Sequence, residues 1–193
     1  MRKIVSFCLL MCSILLFSGC FGAAPDQDTI SVDKRGRVTS TIVEDFDKEF
    51  YDSEELESEI DEELAEYNQN FAADHIRKEM FEVEDGIATL QLVFDESQYY
   101  KDYTGLELFV GTVSEAEEEG YELPAYFVNP EENAVDVDEL NSEGDVRLLI
   151  LEEAVQVRVP GRILAVCPED NVTVPGDKEA AVAEPELSYI IYR

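Results

Sequence analysis

The sequence predicts an α+β fold: an N-terminal β-β-α-β-β antiparallel sheet with one packed helix, followed by a strand-rich C-terminal half. Three observations predict it. Alternating apolar residues flank Gly-containing turns at residues 29–46 and 76–94, an acidic stretch between them carries apolar residues at helical spacing, and short β-branched runs fill the last fifty or so residues. The composition allows a core: the chain has 193 residues, 45% of them hydrophobic and 10% aromatic, too apolar for a disordered acidic tail despite a formal charge of -31.

Residues 29–46 read as a hairpin. Ile30 and Val32 alternate, Lys34-Arg35-Gly36 supplies the turn, and Val38, Ile42 and Val43 continue on the return strand. Asp52 is placed to cap the next helix, with Glu55 as its reciprocal partner and Tyr51 with Leu56 as a hydrophobic staple. Leu56, Ile60, Leu64, Tyr67 and Phe71 recur at helical spacing and form one stripe, with Glu57, Glu59, Glu62, Glu63 and Glu66 mostly on the solvated side. A second hairpin joins 76–83 to 87–94 through Glu84-Asp85-Gly86, with Ala88, Leu90, Leu92 and Phe94 sharing a face. Short helices are expected over 96–104 and 114–120, the latter capped by Ser114 and stopped by Gly120. From Val146 onward, strands are expected at 146–151, 155–159, 162–166, 172–174 and 187–192, with Val159-Pro160-Gly161 and Val174-Pro175-Gly176 as turns.

The N-terminus carries an address. Met1-Arg2-Lys3 is basic, and residues 4–17 are an apolar run of about 21 Å as a helix, short of the roughly 20 residues that span a bilayer. Leu16-Phe17-Ser18-Gly19-Cys20 follows, with small residues before a Cys. This run resembles the lipobox of bacterial lipoproteins, with Phe17 in place of the more usual Leu. The resemblance implies cleavage before Cys20, a diacylglyceryl group on its sulfur and anchoring at the outer face of the cytoplasmic membrane. The body is similar to uncharacterised small lipoproteins of Gram-positive anaerobes through Val43-Glu44-Asp45-Phe46-Asp47, Tyr51-Asp52, Thr104-Gly105-Leu106-Glu107-Leu108-Phe109-Val110-Gly111 and Leu187-Ser188-Tyr189-Ile190-Ile191-Tyr192. That likeness implies location and architecture and supplies no catalytic site.

The expected organisation is therefore a signal at 1–19, a tether at 20–28, an α+β domain at 29–144 and a strand-rich subdomain at 145–193, or one continuous domain over 29–193. Removing 1–19 takes away Arg2 and Lys3 and no acid, so -31 becomes -33. Such a body is repelled by anionic lipid, which leaves the lipid on Cys20 as the membrane contact. It also excludes nucleic acid, which is bound by clustered Lys and Arg. Cys8 and Cys12 leave with the signal and Cys20 is the lipid site, so Cys167 has no partner for an internal disulfide and reads as a small buried strand residue.

Chemistry is sparse. His75, the one imidazole, has no Gly-x-Ser-x-Gly elbow with it and reads as a surface or capping residue; there is no Walker A loop and no Gly-x-Gly-x-x-Gly. Tyr99, Tyr100 and Tyr103 suit packing better than sugar stacking. No catalytic residue, cofactor or metal site is expected; Asp136, Asp138, Glu143 and Asp145 are the densest loop-like oxygen group, but Leu140 stands where a third ligand is needed. The expectation is a non-enzymatic binding or structural component of the cell envelope, its protein or cell-wall partner unnamed. The alternatives are an envelope enzyme with an unfamiliar carboxylate pair and a divalent-cation-binding module.

Overall fold

A computed structural model describes residues 26–48, 51–142 and 146–193. Its N-terminal elements are β1 (Thr29–Val32), β2 (Val38–Asp45), α1 (Ser53–Asn68), β3 (Ile76–Glu84) and β4 (Ile87–Phe94). Then come α2 (Ser97–Thr104), β5 (Leu108–Gly111), α3 (Val113–Glu118), β6 (Phe127–Val128), β7 (Ala134–Val135) and α4 (Val137–Ser142). The chain continues through β8 (Arg147–Leu151), β9 (Gln156–Arg158), β10 (Ile163–Cys167), β11 (Val172–Gly176), β12 (Glu179–Val182) and β13 (Ser188–Tyr192). Among the described residues, no helix is long and apolar enough to cross a membrane.

The fold is mixed α+β and strand-rich, built on two sheets of order β11-β12-β9-β1-β2-β4-β3 and β5-β8-β13-β10-β6-β7. The β-β-α-β-β order of the first elements is present, but they do not close a sheet of their own. β9 pairs in parallel with β1, Ile30 opposite Val157, and β12 and β11 extend that side. The last third of the chain thus completes the sheet that the first third begins.

One buried cluster draws Ile30, Val38 and Phe94 from the first sheet and Leu149, Leu151 and Ile190 from the second, so the sheets face each other across it. Alternate residues of the same strands, Leu148, Ile150 and Ile191, point the other way into a second cluster with Phe109, Val113, Ala116 and Phe127. Burial on both faces explains why β8 and β13 read as unbroken apolar runs. α1 inserts Ile60 and Leu64, each 6% exposed, into the first cluster. Phe71 lies beyond the helix end and is 38% exposed.

Local chemistry sets the ends. Asp52 accepts hydrogen bonds from the amides of Glu54 and Glu55, at 2.9 and 3.1 Å. The reciprocal capping box occurs instead at α3, where Thr112 and Glu115 bond each other's amides; the cap is Thr112, two residues before Ser114. A threonine whose backbone is extended can cap, whereas Ser114 is already inside the helical turn. Pro175 sits inside β11 and not in a turn; an edge strand tolerates a residue without an amide hydrogen. At the other edge, β3 carries a register shift between Lys78 and Met80, and Lys78 reaches Glu57 and Asp61 of α1 at 2.8 and 2.7 Å. A bulge and a tied lysine on one edge, with a proline on the other, oppose edge-to-edge pairing of the sheet.

Candidate functional site

Cys20, Glu143 and Asp145 lie outside the described residues. Asp136 and Asp138 are both exposed, at the start of α4, where the Asp138 amide donates to Asp136 Oδ1 at 2.8 Å. The run expected to be a loop is thus a short helix whose first carboxylate caps it. Among the described residues, no three His, Cys, Asp or Glu side chains are grouped so as to hold a metal ion.

His75 stands between α1 and β3. Its ring stacks on Tyr99 at 4.1 Å and 8°, Phe71 meets it edge-on at 5.3 Å, and Nδ1 lies 3.3 Å from Asp95 Oδ2. Arg77 holds the other Asp95 oxygen at 2.7 Å. Tyr103 packs edge-on against Tyr67 at 5.4 Å. The imidazole therefore knits the corner between helix and hairpin, with aromatic rings and a carboxylate already claimed by an arginine as its contacts. Cys167 ends β10 half-buried, less enclosed than its strand context predicts, and burial with Glu169 and Asp170 nearby pushes its thiol up.

Tyr100 is 2% exposed and donates to Glu153 Oε2 at 2.6 Å. Burial pushes the Glu153 carboxyl up, the Tyr100 bond pulls against that, and the Asp28 charge adds to the rise. Burial and the same Asp28 raise Glu44. A carboxyl raised in this way binds its proton more readily in the folded chain than in the unfolded one. The fold therefore gains stability as pH falls through the raised value, and the gain is complete below the unfolded value of 4.5. Asp95 and Glu115 are held low, so what they contribute is lost only at lower pH, as their depressed values are crossed. Thermal melts at stepped pH are thus expected to rise in the mildly acidic range. Glu153→Gln is expected to be more stable than wild type near neutrality and to show a flatter rise. A variant whose melts track wild type at every pH would remove Glu153 from the account.

The strand pairings give the molecule two unlike ends. The described chain enters at β1, and the same end holds Glu44 and Asp45 of β2, the Glu84-Asp85 turn, and the loops with Glu152, Glu153, Glu184 and Glu186. Lys48 follows β2 at that end and pairs with Asp47 at 2.8 Å. The far end takes nine of the twelve Lys and Arg found beyond residue 25. Lys34, Arg35 and Arg37 are in the β1–β2 turn, Arg158 and Arg162 flank the passage from β9 to β10, and Lys178 is in the β11–β12 turn. Arg77 is near the start of β3, Arg147 opens β8 and Arg193 follows β13.

Among the described residues, two hollows bear on a site. An open groove of about 640 Å³ runs between α1 and β3, but its polar side chains are committed: Asn68 bonds Ile76 from both ends of its amide, Lys78 is paired twice, and Arg77 holds Asp95. The second, of about 340 Å³, opens at the far end between the β1–β2 turn, α2, β5 and α3. Its charged lining is Arg35, Lys101 and Arg147 against Glu96, Glu115 and Glu119. That balance is unlike a chain with 45 acids and 14 bases.

Each wall of this cleft is locally fixed. Asp33 Oδ1 accepts from the amides of Arg35 and Arg37 at 2.7 and 3.0 Å, shaping the turn that carries Arg35. Gly36 has φ +83°, and a Cβ there would stand 3.8 Å from Arg147 Nη2, so the turn lies over that guanidinium. Ser97 Oγ accepts from the Val110 amide at 3.2 Å and seats α2 against β5. Lys101 pairs with Glu107 at 2.8 Å, and the Tyr121 hydroxyl donates to the same carboxylate. Glu115 accepts from the amide and hydroxyl of Thr112, which hold its carboxyl low and charged. Among the described residues, the Arg35 guanidinium makes no ion pair; Glu96 and Glu119 are exposed and also unpaired. Sequence reasoning missed this cleft, because its residues come from four separated stretches that no motif links.

Three comparisons with known proteins find no match: no family model, no curated protein and no solved structure is similar to the chain.

Proposed function

We propose that this chain is a lipid-anchored extracytoplasmic protein whose body is a non-enzymatic binding or structural component of the cell envelope. The observation that carries the reading is the basic start, the apolar run at 4–17 and the closing Leu16-Phe17-Ser18-Gly19-Cys20. Acyl chains at Cys20 anchor stably because more than one is attached. The acidic entry end, next to the tether, is repelled by anionic lipid and holds the body off the surface, with the far end outward.

The test is lipid labelling in a bacterial host. Wild type is expected to incorporate radiolabelled fatty acid and to fractionate with membranes. Cys20→Ala is expected to lose the label completely and to accumulate as an unprocessed or released form. Unchanged labelling of Cys20→Ala would sink the reading.

A further inference from the structure

We infer that the far-end cleft is a binding site for a small zwitterion, a molecule carrying a carboxylate and an ammonium group a few bonds apart, such as an amino acid or short peptide. The inference rests on reading the body as a binding module and names what it would take. Electrostatics select the class. Over most of this surface a small anion is repelled, and a cation is attracted to many places alike. In the cleft three cations and three carboxylates share a hollow of ligand size, and among the described residues Arg35, Glu96 and Glu119 in it make no ion pair, whereas Arg77 and Lys78 of the α1–β3 groove are already paired.

An anion alone would gain from Arg35 and Arg147 but face Glu96, Glu115 and Glu119. A cation alone would meet the reverse. A zwitterion satisfies both sets at once. The unpaired groups are of both signs: Arg35 offers a two-pronged donor for a carboxylate, and Glu96 and Glu119 offer acceptors for an ammonium. The remaining charges are tied to the protein. Glu115 caps α3, Lys101 is held by Glu107, and the β1–β2 turn lies over Arg147, so these walls are in place before a ligand enters. Arg35 and Arg147, on one wall of the cleft, lie at the end opposite Thr29, where β1 begins.

Calorimetric titration of the full-length lipidated protein in detergent micelles tests this with alanylalanine as the probe. N-acetylalanine, which lacks the ammonium, and alanine amide, which lacks the carboxylate, serve as comparison ligands. The expected result is one saturable site for alanylalanine and at least about tenfold weaker binding of either comparison ligand, a loss of about 1.4 kcal/mol. Arg35→Gln, at an exposed turn position, is expected to keep the wild-type melting temperature and weaken alanylalanine at least about tenfold. Glu184→Gln, at the opposite end, is expected to change nothing. The proposal is overturned if alanylalanine gives no saturable heat, if either single-charge ligand binds as well, or if folded Arg35→Gln binds like wild type. Lipid labelling at Cys20 is independent of all these outcomes, so failure of the cleft and failure of the anchor are told apart.

Discussion

Replacing Ile60 by alanine is expected to destabilise the fold by about 2–5 kcal/mol, the range for deleting a buried aliphatic side chain whose site cannot collapse. Ile60 is 6% exposed and joins the cluster that holds Ile76, Leu92 and Phe94. α1 has little intrinsic reason to persist alone. Eight of its sixteen residues are acidic and its last turn contains no base, so repulsion along the helix opposes it and the C-terminal dipole is uncompensated. Docking through Ile60 and Leu64 must supply that stability. Urea titration of wild type and Ile60→Ala is the measurement. A difference within about 0.5 kcal/mol is what a surface position gives, and it would place the stripe in solvent. Glu59→Ala, on the exposed side of the helix, is the control expected to stay within that margin.

Gly161→Ala is expected to cost about 2–4 kcal/mol for a different reason. A Cβ at Gly161 would stand 2.1 Å from the Arg193 carbonyl oxygen and 2.3 Å from its carbon, so the obstacle is backbone and cannot rotate away. Relief requires the end of β13 to move off β10, where Arg162 and Arg193 exchange hydrogen bonds of 2.7 and 2.9 Å. Overpacking accounts for about 1–3 kcal/mol and the weakened bonds for about 1 kcal/mol. Gly105→Ala separates this from a conformational effect. Gly105 has φ +76° with nothing within 4 Å of the added Cβ, so its cost is the left-handed conformation alone, about 1–2 kcal/mol. Equal and small losses for both variants would show that the Gly161–Arg193 approach is not made in solution.

The local elements are legible in the amino-acid order because their causes are local. Alternation around Asp33-Lys34-Arg35-Gly36 and Glu84-Asp85-Gly86 fixes both hairpins, and both turns place glycine at positive φ, +83° and +79°. Asp52 and the Ile60–Leu64 stripe fix the start and the buried side of α1. The anchor reading is local too, a charge, an apolar run and a Cys in order. Where local signals were weak, the elements went unread: β5, β7 and β12 are four residues or fewer, and β6 is two. Asp136 and Asp138 sit where the sequence predicts an oxygen-rich loop, but the Asp136 side chain caps α4.

The rest is set by contacts between segments far apart in the chain. The parallel pairing of β1 with β9 joins residues more than a hundred positions apart, and nothing in either short strand encodes the other. The apolar run of β8 announces burial on both faces without saying what lies against each; that is set by the first sheet on one side and by α3 with Phe127 on the other. The two charged ends follow from the same cause. Basic residues scattered from Lys34 to Arg193 in sequence reach one end because successive strands reverse direction, and only the pairing says which turns share an end. The far-end cleft is the product of that arrangement. Burial and hydrogen bonding act through space, so the hollow among Arg35, Ser97, Glu115 and Arg147 exists only once both sheets are closed.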